Sequence, residues 1–155
     1  EPTAVPWVPV VRSFMIQKNN RTPEPPNDRT PLSLEMSSDI QAVLAELVKR
    51  VAGSRGAILV DKDGVPIAQA AQDPAVDLEA VGALSRPLLQ DTVDASERLG
   101  QGRVMEVLLE AERATLAMIP LKNSCYLCLL LSPEAILGRG LFEARRAASA
   151  LDYVL

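Results

Sequence analysis

The spacing of apolar residues after position 37 predicts a first amphipathic helix. Apolar side chains recur there every three or four residues, at Ile40, Val43, Leu44, Leu47, Val48 and Val51. Ser38 and Gln41 have the spacing of a capping box at its start. Gly53 follows the last turn and suits the left-handed conformation that ends many helices. We therefore expect a helix from about Ser38 to Val51.

The second predicted helix carries two apolar stripes instead of one. It begins at a cap formed by Asp77 and continues to about Leu99. The main stripe comprises Val81, Leu84, Leu88, Ala95 and Leu99, and the second stripe comprises Gly82, Leu89 and Val93. Two stripes indicate that two surfaces have to be covered. Because an interior proline costs about 3 kcal/mol, Pro87 predicts a kink or two shorter helices.

Five short segments have the pattern of β-strands. The first two, at about residues 57–60 and 65–68, flank Asp63 and Gly64, and an Asp-Gly pair between apolar runs is a strong hairpin signal. The third, Arg103 to Glu110, carries glutamates on one face and suits a sheet edge. The fourth follows at residues 114–119. The fifth, residues 125–131, is apolar on both faces and suits the middle of a sheet.

A last helix is predicted after Ser132 and Pro133, which resemble a cap and a first-turn proline. Its apolar side comprises Leu141, Ala144, Ala148, Leu151 and Leu155, and its charged residues, such as Glu143, lie largely elsewhere. The element order is helix, two strands, helix, three strands, helix. It predicts an α/β (α+β) fold, a three-layer sandwich of a five-stranded antiparallel sheet with helices on both faces.

The first 36 residues differ in composition from the rest. They hold seven of the 12 prolines and little apolar sequence, so we expect a flexible Pro-rich extension at residues 1–36 and a domain at residues 37–155. We find no signal peptide and no apolar run long enough to cross a membrane, so no membrane insertion is expected. The cytoplasm is the predicted location.

Composition excludes several classes of function. The 155 residues contain no histidine and two cysteines, which excludes imidazole-assisted nucleophiles, histidine metal ligands and a four-cysteine zinc site. The net charge of −4 argues against a nucleic-acid partner. Cys125 and Cys128 have redox-pair spacing, but residues three apart on a strand point to opposite faces, so we expect two buried thiols. No cofactor is expected.

The element order, together with the hairpin at residues 58–68 and Leu137-Gly138 before the last helix, resembles the Roadblock / dynein light chain family. It is similar, more narrowly, to bacterial members that regulate a small Ras-like GTPase in cell polarity and gliding. The resemblance implies a homodimer in which the second helices pack together and the third strands join two sheets. The dimer interface that it implies comprises Gly82, Leu89, Val93, Val104, Glu106 and Leu108.

The same resemblance implies a GTPase-binding surface around the second helices and no enzymatic activity. The candidate partner-binding residues are the polar positions of that helix, Glu79, Arg86, Gln90, Asp94 and Glu97. The chain departs from its bacterial relatives in carrying Arg86-Pro87-Leu88-Leu89 where they often have small residues. Modulation of the GTPase nucleotide cycle is the leading hypothesis. A dimeric scaffold that docks other proteins without changing hydrolysis is the alternative.

A remote alternative is an enzyme. Asp61 and Asp63 follow an apolar strand as in the first motif of haloacid dehalogenase phosphatases, where one Asp attacks phosphorus and the other acts as acid and base. That fold continues into a helix and a parallel sheet, whereas residues 65–71 have the pattern of a return strand. Arg86 and Arg98 could also suggest an arginine finger, but solvated helix charges are more common.

Overall fold

The structure, a computed structural model, describes residues 32–155. Three helices form in this part of the chain, α1 (Leu32–Arg50), α2 (Leu78–Arg98) and α3 (Leu137–Val154). The five strands are β1 (Ser54–Val60), β2 (Pro66–Ala71), β3 (Val107–Glu110), β4 (Thr115–Pro120) and β5 (Tyr126–Leu131), and a short 3₁₀ turn at Lys122–Ser124 precedes β5. The predicted order of helices and strands is confirmed.

The strands form one antiparallel sheet in the order β2-β1-β5-β4-β3. The doubly apolar strand β5 is central, and the glutamate-bearing strand β3 is at an edge, as their patterns predict. In the register of the sheet, Cys128 is paired with Ile58 on one side and Met118 on the other. Every strand connection in the described chain is consistent with hairpins and helical crossovers on an antiparallel sheet.

Two apolar clusters lie on opposite faces of the sheet. In β1, Ala57 and Leu59 pack toward α1 and α3, whereas Ile58 and Val60 pack toward α2. Strand β5 alternates in the same way, since Leu127, Leu129 and Leu131 join the first cluster and Tyr126 and Cys128 join the second. The period of two along a strand thus produces the three-layer sandwich that the sequence predicts.

Two predicted helix caps are wrong. Helix α1 begins at Leu32, so Ser38 lies inside it and Gln41 Nε2 donates to the Gln69 carbonyl of β2 at 2.8 Å. Helix α3 begins at Leu137 and not at Ser132, since Ser132 N donates to the Gly53 carbonyl just after β5 and a turn at residues 133–135 separates it from the helix. Because α1 begins at Leu32, residues 32–36 are helical, although they were predicted to belong to the flexible extension. The other residues of that predicted extension, 1–31, lie outside the described part of the chain.

Two further boundaries differ from the prediction. Strand β3 begins at Val107 and not at Arg103, since its pairing with β4 starts at Val107 and the side chain of Glu106 is bonded to Arg145 of α3. Helix α2 continues from Leu78 to Arg98 as one helix, so the expectation of two shorter helices is wrong. Pro87 and Ala83 are both exposed, and water can therefore hydrate the Ala83 carbonyl that has no donor at position 87.

Candidate protein-interaction site

Helix α2 packs on its own sheet through the smaller of its two stripes. Gly82 and Leu89 are buried, and a Cβ atom on Gly82 would lie 2.7 Å from Val60 Cγ1. Leu89 belongs to the cluster beneath α2, with Val93 half-buried against it. These three residues, predicted as dimer contacts, therefore hold the helix to its own protomer. Their close approach to β1 explains why a glycine is present at position 82.

The leucines of the main stripe are left open, whereas Val81 of the same stripe is half-buried against the cluster beneath the helix. Leu84 is 70%, Leu88 45% and Leu99 71% exposed, although the family resemblance had assigned the other stripe to the dimer and so left this one for the sheet. The assignment of the two stripes is thus the reverse of the prediction. Ser85, which the pattern did not single out, is buried between them, and its hydroxyl donates to the Val81 carbonyl at 2.5 Å.

Three polar contacts order the first half of α2, one at its own N-terminus and two with the sheet and its first hairpin. The Asp77 carboxylate caps the helix by accepting from Ala80 N at 3.0 Å, which confirms the predicted cap. The Tyr126 hydroxyl donates to the Gly82 carbonyl at 2.9 Å. The Arg86 guanidinium donates to the carbonyl of Lys62 at the tip of the β1–β2 hairpin. The exposed leucines are consequently presented on a helix whose N-terminal half is held in place.

The hairpin uses its aspartates for its own turn. Asp61 Oδ1 accepts from both Asp63 N and Val65 N at 2.9 Å, and the Val65 contact is the main reason why the pKa of Asp61 lies below its usual range. Gly64 has a φ of +81°, as the hairpin signal requires. Together with the antiparallel sheet, this arrangement rules out the phosphatase fold that the Asp61 and Asp63 motif suggested.

The predicted partner-binding residues are exposed but do not form one compact site. They comprise Glu79, Arg86, Gln90, Asp94 and Glu97. Glu79 and Glu97 are at opposite ends of α2, about 27 Å apart at 1.5 Å per residue. Gln90 Nε2 donates to Asp94 Oδ1 at 2.9 Å. Arg86 and Gln90 border a pocket of about 270 Å³ between the hairpin, α2 and the turn before β5.

Strand β3, at one edge of the sheet formed by residues 54–131, adds a second exposed surface. Strand β3 pairs with β4 on one side, and Leu108 and Leu109 are both exposed. Val104 and Glu106, which were predicted as edge contacts, precede the strand and are half-buried. Both oxygens of Glu106 accept hydrogen bonds from Arg145 of α3, at 2.7 and 2.5 Å. Of the three predicted edge residues, Leu108 is the one within β3.

The cysteines lie on opposite faces of the sheet. Cys125 joins the cluster under α1 and α3, and Cys128 joins the cluster under α2. Both are buried free thiols, which confirms the prediction against a redox pair. Burial raises the pKa of Cys128 to about 12, so its thiol stays protonated and behaves as a small apolar side chain.

Comparison of the sequence with models of known protein families identifies the family of this chain. The sequence model of the Roadblock/LC7 domain matches residues 40–131, which is more than half of the chain and includes β1 to β5 and α2. The chain belongs to the Roadblock/LC7 family. No protein of curated function matches the sequence significantly. Within residues 32–155, no helix combines the length and apolar character that a membrane span needs.

Several solved structures share this Roadblock fold. The gliding protein MglB of Thermus thermophilus is 24% identical, with a TM-score of 0.70 over 77% of this chain and 90% of its own. Myxococcus xanthus MglB is 21% identical, with a TM-score of 0.69 over 76% and 88% of the two chains. A Roadblock/LC7 domain from Streptomyces avermitilis is 24% identical, with a TM-score of 0.66 over 73% and 94%. These similarities confirm the fold.

Proposed function

We propose that this Roadblock domain is a homodimeric regulator that binds a small Ras-like GTPase and modulates its nucleotide cycle. The observation that carries the proposal is the exposed stripe of α2, in which Leu84, Leu88 and Leu99 point away from the sheet. Family membership and the similarity to gliding proteins named MglB support it. The domain would supply shape and contacts, and catalysis would remain in the active site of the GTPase.

Dimerisation would cover the leucine stripe. Full burial of a leucine contributes about 1.5–3 kcal/mol, and two α2 helices packed about a two-fold axis would bury leucines from both protomers. Among the described residues β3 pairs with β4 alone, and a second β3 could pair with its other side, which would join the two sheets. Gly82, Leu89 and Val93 then act indirectly, by holding α2 at the height above the sheet where its leucines meet the second copy.

The GTPase would contact the polar side of the paired α2 helices. Arg86, Gln90 and Asp94 lie on this side, and Arg86 is already engaged with the Lys62 carbonyl. A guanidinium held in this way cannot reach into a nucleotide site without breaking that contact. The proposed regulation therefore works by repositioning groups of the GTPase and not through an arginine finger. The cytoplasm is the compartment that goes with this proposal, in keeping with two free thiols.

A dimeric scaffold is the second candidate. Two residues in the middle of α2 favour it, namely Arg86, which is bonded to the Lys62 carbonyl, and Pro87. Bacterial relatives that regulate GTPases often have small residues at these positions. The two candidates share the dimer and differ in whether GTP hydrolysis changes. One experiment with the same purified protein can separate them.

The experiment measures mass first and hydrolysis second. Light scattering should give a dimer for the wild type, and Leu84→Glu and Leu88→Glu should shift it to a monomer with unchanged helix content. Ile136→Glu is the matched control, because Ile136 is 75% exposed but lies before α3. A wild-type mass that stays monomeric at all concentrations would refute the dimer.

Hydrolysis is then measured with a cognate small Ras-like GTPase, with and without the dimer. A changed rate that is lost in Leu88→Glu supports the regulator. Binding with an unchanged rate supports the scaffold, and the absence of binding contradicts both.

A further inference from the structure

The two edge strands of the sheet, β2 and β3, differ in what their outer sides offer to a second strand. In an antiparallel pair, the N–H and C=O groups of alternate residues point toward the neighbouring strand, and those of the residues between them point away. Just after β2, Gln72 N donates to the Arg55 carbonyl of β1, so the same alternation points the backbone groups of Gln69 outward. The Gln69 carbonyl accepts there from Gln41 Nε2 of α1 at 2.8 Å. The middle of the β2 edge is therefore already occupied by a side chain of α1.

Strand β3 offers its outer backbone groups without such a contact. Within residues 32–155, β3 pairs with β4 alone. Ala111 N donates to the Ala114 carbonyl at 2.9 Å in the turn between these strands, which is in register with their pairing. By the alternation of the ladder, the backbone groups of Leu109 point toward β4, and those of Leu108 and Glu110 point away from the sheet. A second antiparallel strand would bind through Leu108 and Glu110.

The side chains of β3 divide between the two faces of the sheet. Leu108 is paired with Ala117, which belongs to the cluster under α1 and α3, so Leu108 and Glu110 lie on the α3 face. Val107 packs against the cluster under α2, and Leu109 lies on that face with it. Leu108 is 37% and Leu109 45% exposed. Both faces of this edge thus carry apolar surface that a second strand would cover.

Symmetry restricts how two β3 strands can pair. A two-fold axis perpendicular to the joined sheet keeps each face on its own side, and residues directly opposite each other must share a face. The axis therefore passes through a residue of β3 and not between two residues. An axis at Val107 or Leu109 gives a central pair without direct hydrogen bonds and places Leu108 opposite a glutamate, and an axis at Glu110 brings two glutamates together. An axis at Leu108 pairs two leucines through two backbone hydrogen bonds.

The register centred on Leu108 also brings together complementary charges. It places Glu110 of the partner subunit opposite Glu106, whose two oxygens already accept hydrogen bonds from Arg145 at 2.7 and 2.5 Å. A guanidinium has five N–H donors, so Arg145 retains donors for a second carboxylate. Glu110 is exposed and is in no ion pair within residues 32–155. Two carboxylates that would repel each other thus have an arginine between them.

We propose that two copies of this chain join their β3 strands about Leu108, with Arg145 of each copy binding both its own Glu106 and Glu110 of the partner subunit. This inference rests on the homodimer of the proposed function and specifies its register, but it does not depend on the GTPase. The ion pair occurs twice in the symmetric dimer, so the dimer should weaken as salt is added. On the opposite face, Val107 lies against Leu109 of the partner subunit and extends the apolar surface of the paired α2 helices.

Disulfide formation in the full chain tests the register. Directly opposite residues have Cα atoms about 4.5–5.5 Å apart, within the range of a disulfide, whereas residues displaced by two positions are about 7–8 Å apart and beyond it. With a mild oxidant, Leu108→Cys should form a covalent dimer about fivefold or more faster than Leu109→Cys. The wild type, whose two cysteines are buried, is the control for the oxidant. Light scattering under reducing conditions would confirm that both variants are dimers.

A charge variant tests the role of Arg145. Glu110→Gln should raise the dimer Kd by about threefold or more and reduce its salt dependence. Glu112→Gln is the matched control, since Glu112 is an exposed glutamate in the turn after β3, and its Kd should stay within about twofold of the wild type. In the double variant with Arg145→Gln, Glu110→Gln should have little additional effect, because its partner is already absent. Circular dichroism would confirm that each variant is folded.

The outcomes separate this inference from the proposed function. Faster cross-linking of Leu109→Cys, or a Kd that responds to Glu112→Gln and not to Glu110→Gln, would overturn the register but leave the homodimer. A dimer in which neither cysteine cross-links would show that the copies meet without β3, and it would also overturn the inference. A wild type that stays monomeric at all concentrations would overturn the inference and the proposed homodimer together.

Discussion

The Tyr126 hydroxyl donates a hydrogen bond of 2.9 Å to the Gly82 carbonyl oxygen, which joins the central strand of the sheet to the first half of α2. Both residues are buried. Tyr126→Phe should lower the free energy of unfolding by about 1 kcal/mol, because a buried carbonyl loses a donor that water cannot replace. Urea denaturation would measure this change. An unchanged midpoint would mean that the contact contributes nothing to stability.

Titration of the same hydroxyl should lower the free energy of unfolding at alkaline pH. Burial is the main reason why the pKa of Tyr126 rises to about 12 from its ordinary value of 10. Between these values the unfolded chain loses the proton and the folded chain keeps it, so stability falls as pH rises. The loss should reach about 1 kcal/mol by pH 11. Unfolding curves at pH 9 and pH 11 should show this loss in the wild type and a smaller loss in Tyr126→Phe. Because both proteins share all other titratable groups, the difference between the two losses isolates the contribution of Tyr126.

Gly82→Ala tests the close approach of α2 to β1. Alanine raises helix propensity by about 1 kcal/mol, but its Cβ would lie 2.7 Å from Val60 Cγ1. We expect the steric cost to prevail and the variant to be less stable by about 1–3 kcal/mol. Gly138→Ala is the control, since nothing lies within 4 Å of a Cβ there. Urea denaturation should show that the control is at least as stable as the wild type, and a stabilised Gly82→Ala would contradict the packing described.

Pro87→Ala should stabilise the monomer fold. Helix α2 is continuous through Pro87, which has no backbone N–H. The Ala83 carbonyl, on the exposed side of the helix, therefore lacks its helical donor. Alanine would restore that hydrogen bond without entering the core, and we expect a gain of about 1–3 kcal/mol. Thermal unfolding would measure it. A loss of stability would show that the proline is matched to a local bend which alanine cannot reproduce.

The sheet could be predicted from the sequence because its signals are local. Asp63 and Gly64 between two apolar runs define the hairpin, and a strand that is apolar on both faces has a place only in the interior of the sheet. The two cysteines follow from the same period of two. The side-chain alternation of Cys125 and Cys128 sends them to different clusters, as the structure shows.

The orientation of α2 could not be predicted from the same kind of signal. Periodicity shows that two stripes exist, but it does not say which stripe faces the sheet, and leucines are usually the better core residues. In this structure, the short distance between α2 and β1 determines which stripe faces the sheet. Gly82 allows a close approach to Ile58 and Val60 that a side chain at this position would block. The burial of Glu143 could not be predicted either, because a charged residue is usually exposed. Its carboxylate is buried next to Arg139 and Arg146, which lie one turn away on either side.

The pair between Glu106 and Arg145 should give the domain a dependence on acid. Two hydrogen bonds from Arg145 hold the pKa of Glu106 below its usual range. A carboxylate with a lowered folded pKa stabilises the fold above its unfolded pKa, and that contribution disappears as the pH falls through the folded value. Because Arg145 is largely exposed, the contribution at neutral pH should be at most about 1 kcal/mol.

Arg145→Gln isolates this pair from the other carboxylates. Its free energy of unfolding should be lower than that of the wild type at pH 7, and the two proteins should converge as the pH falls toward 3. Arg113→Gln is the matched control, because Arg113 is an exposed arginine in the turn between β3 and β4. The pair also ties the chain entering β3 to α3, so the variant should speed amide hydrogen exchange at Glu106 and Val107. A constant difference between Arg145→Gln and the wild type from pH 7 to pH 3 would show that the arginine acts through packing and not through the charge of Glu106.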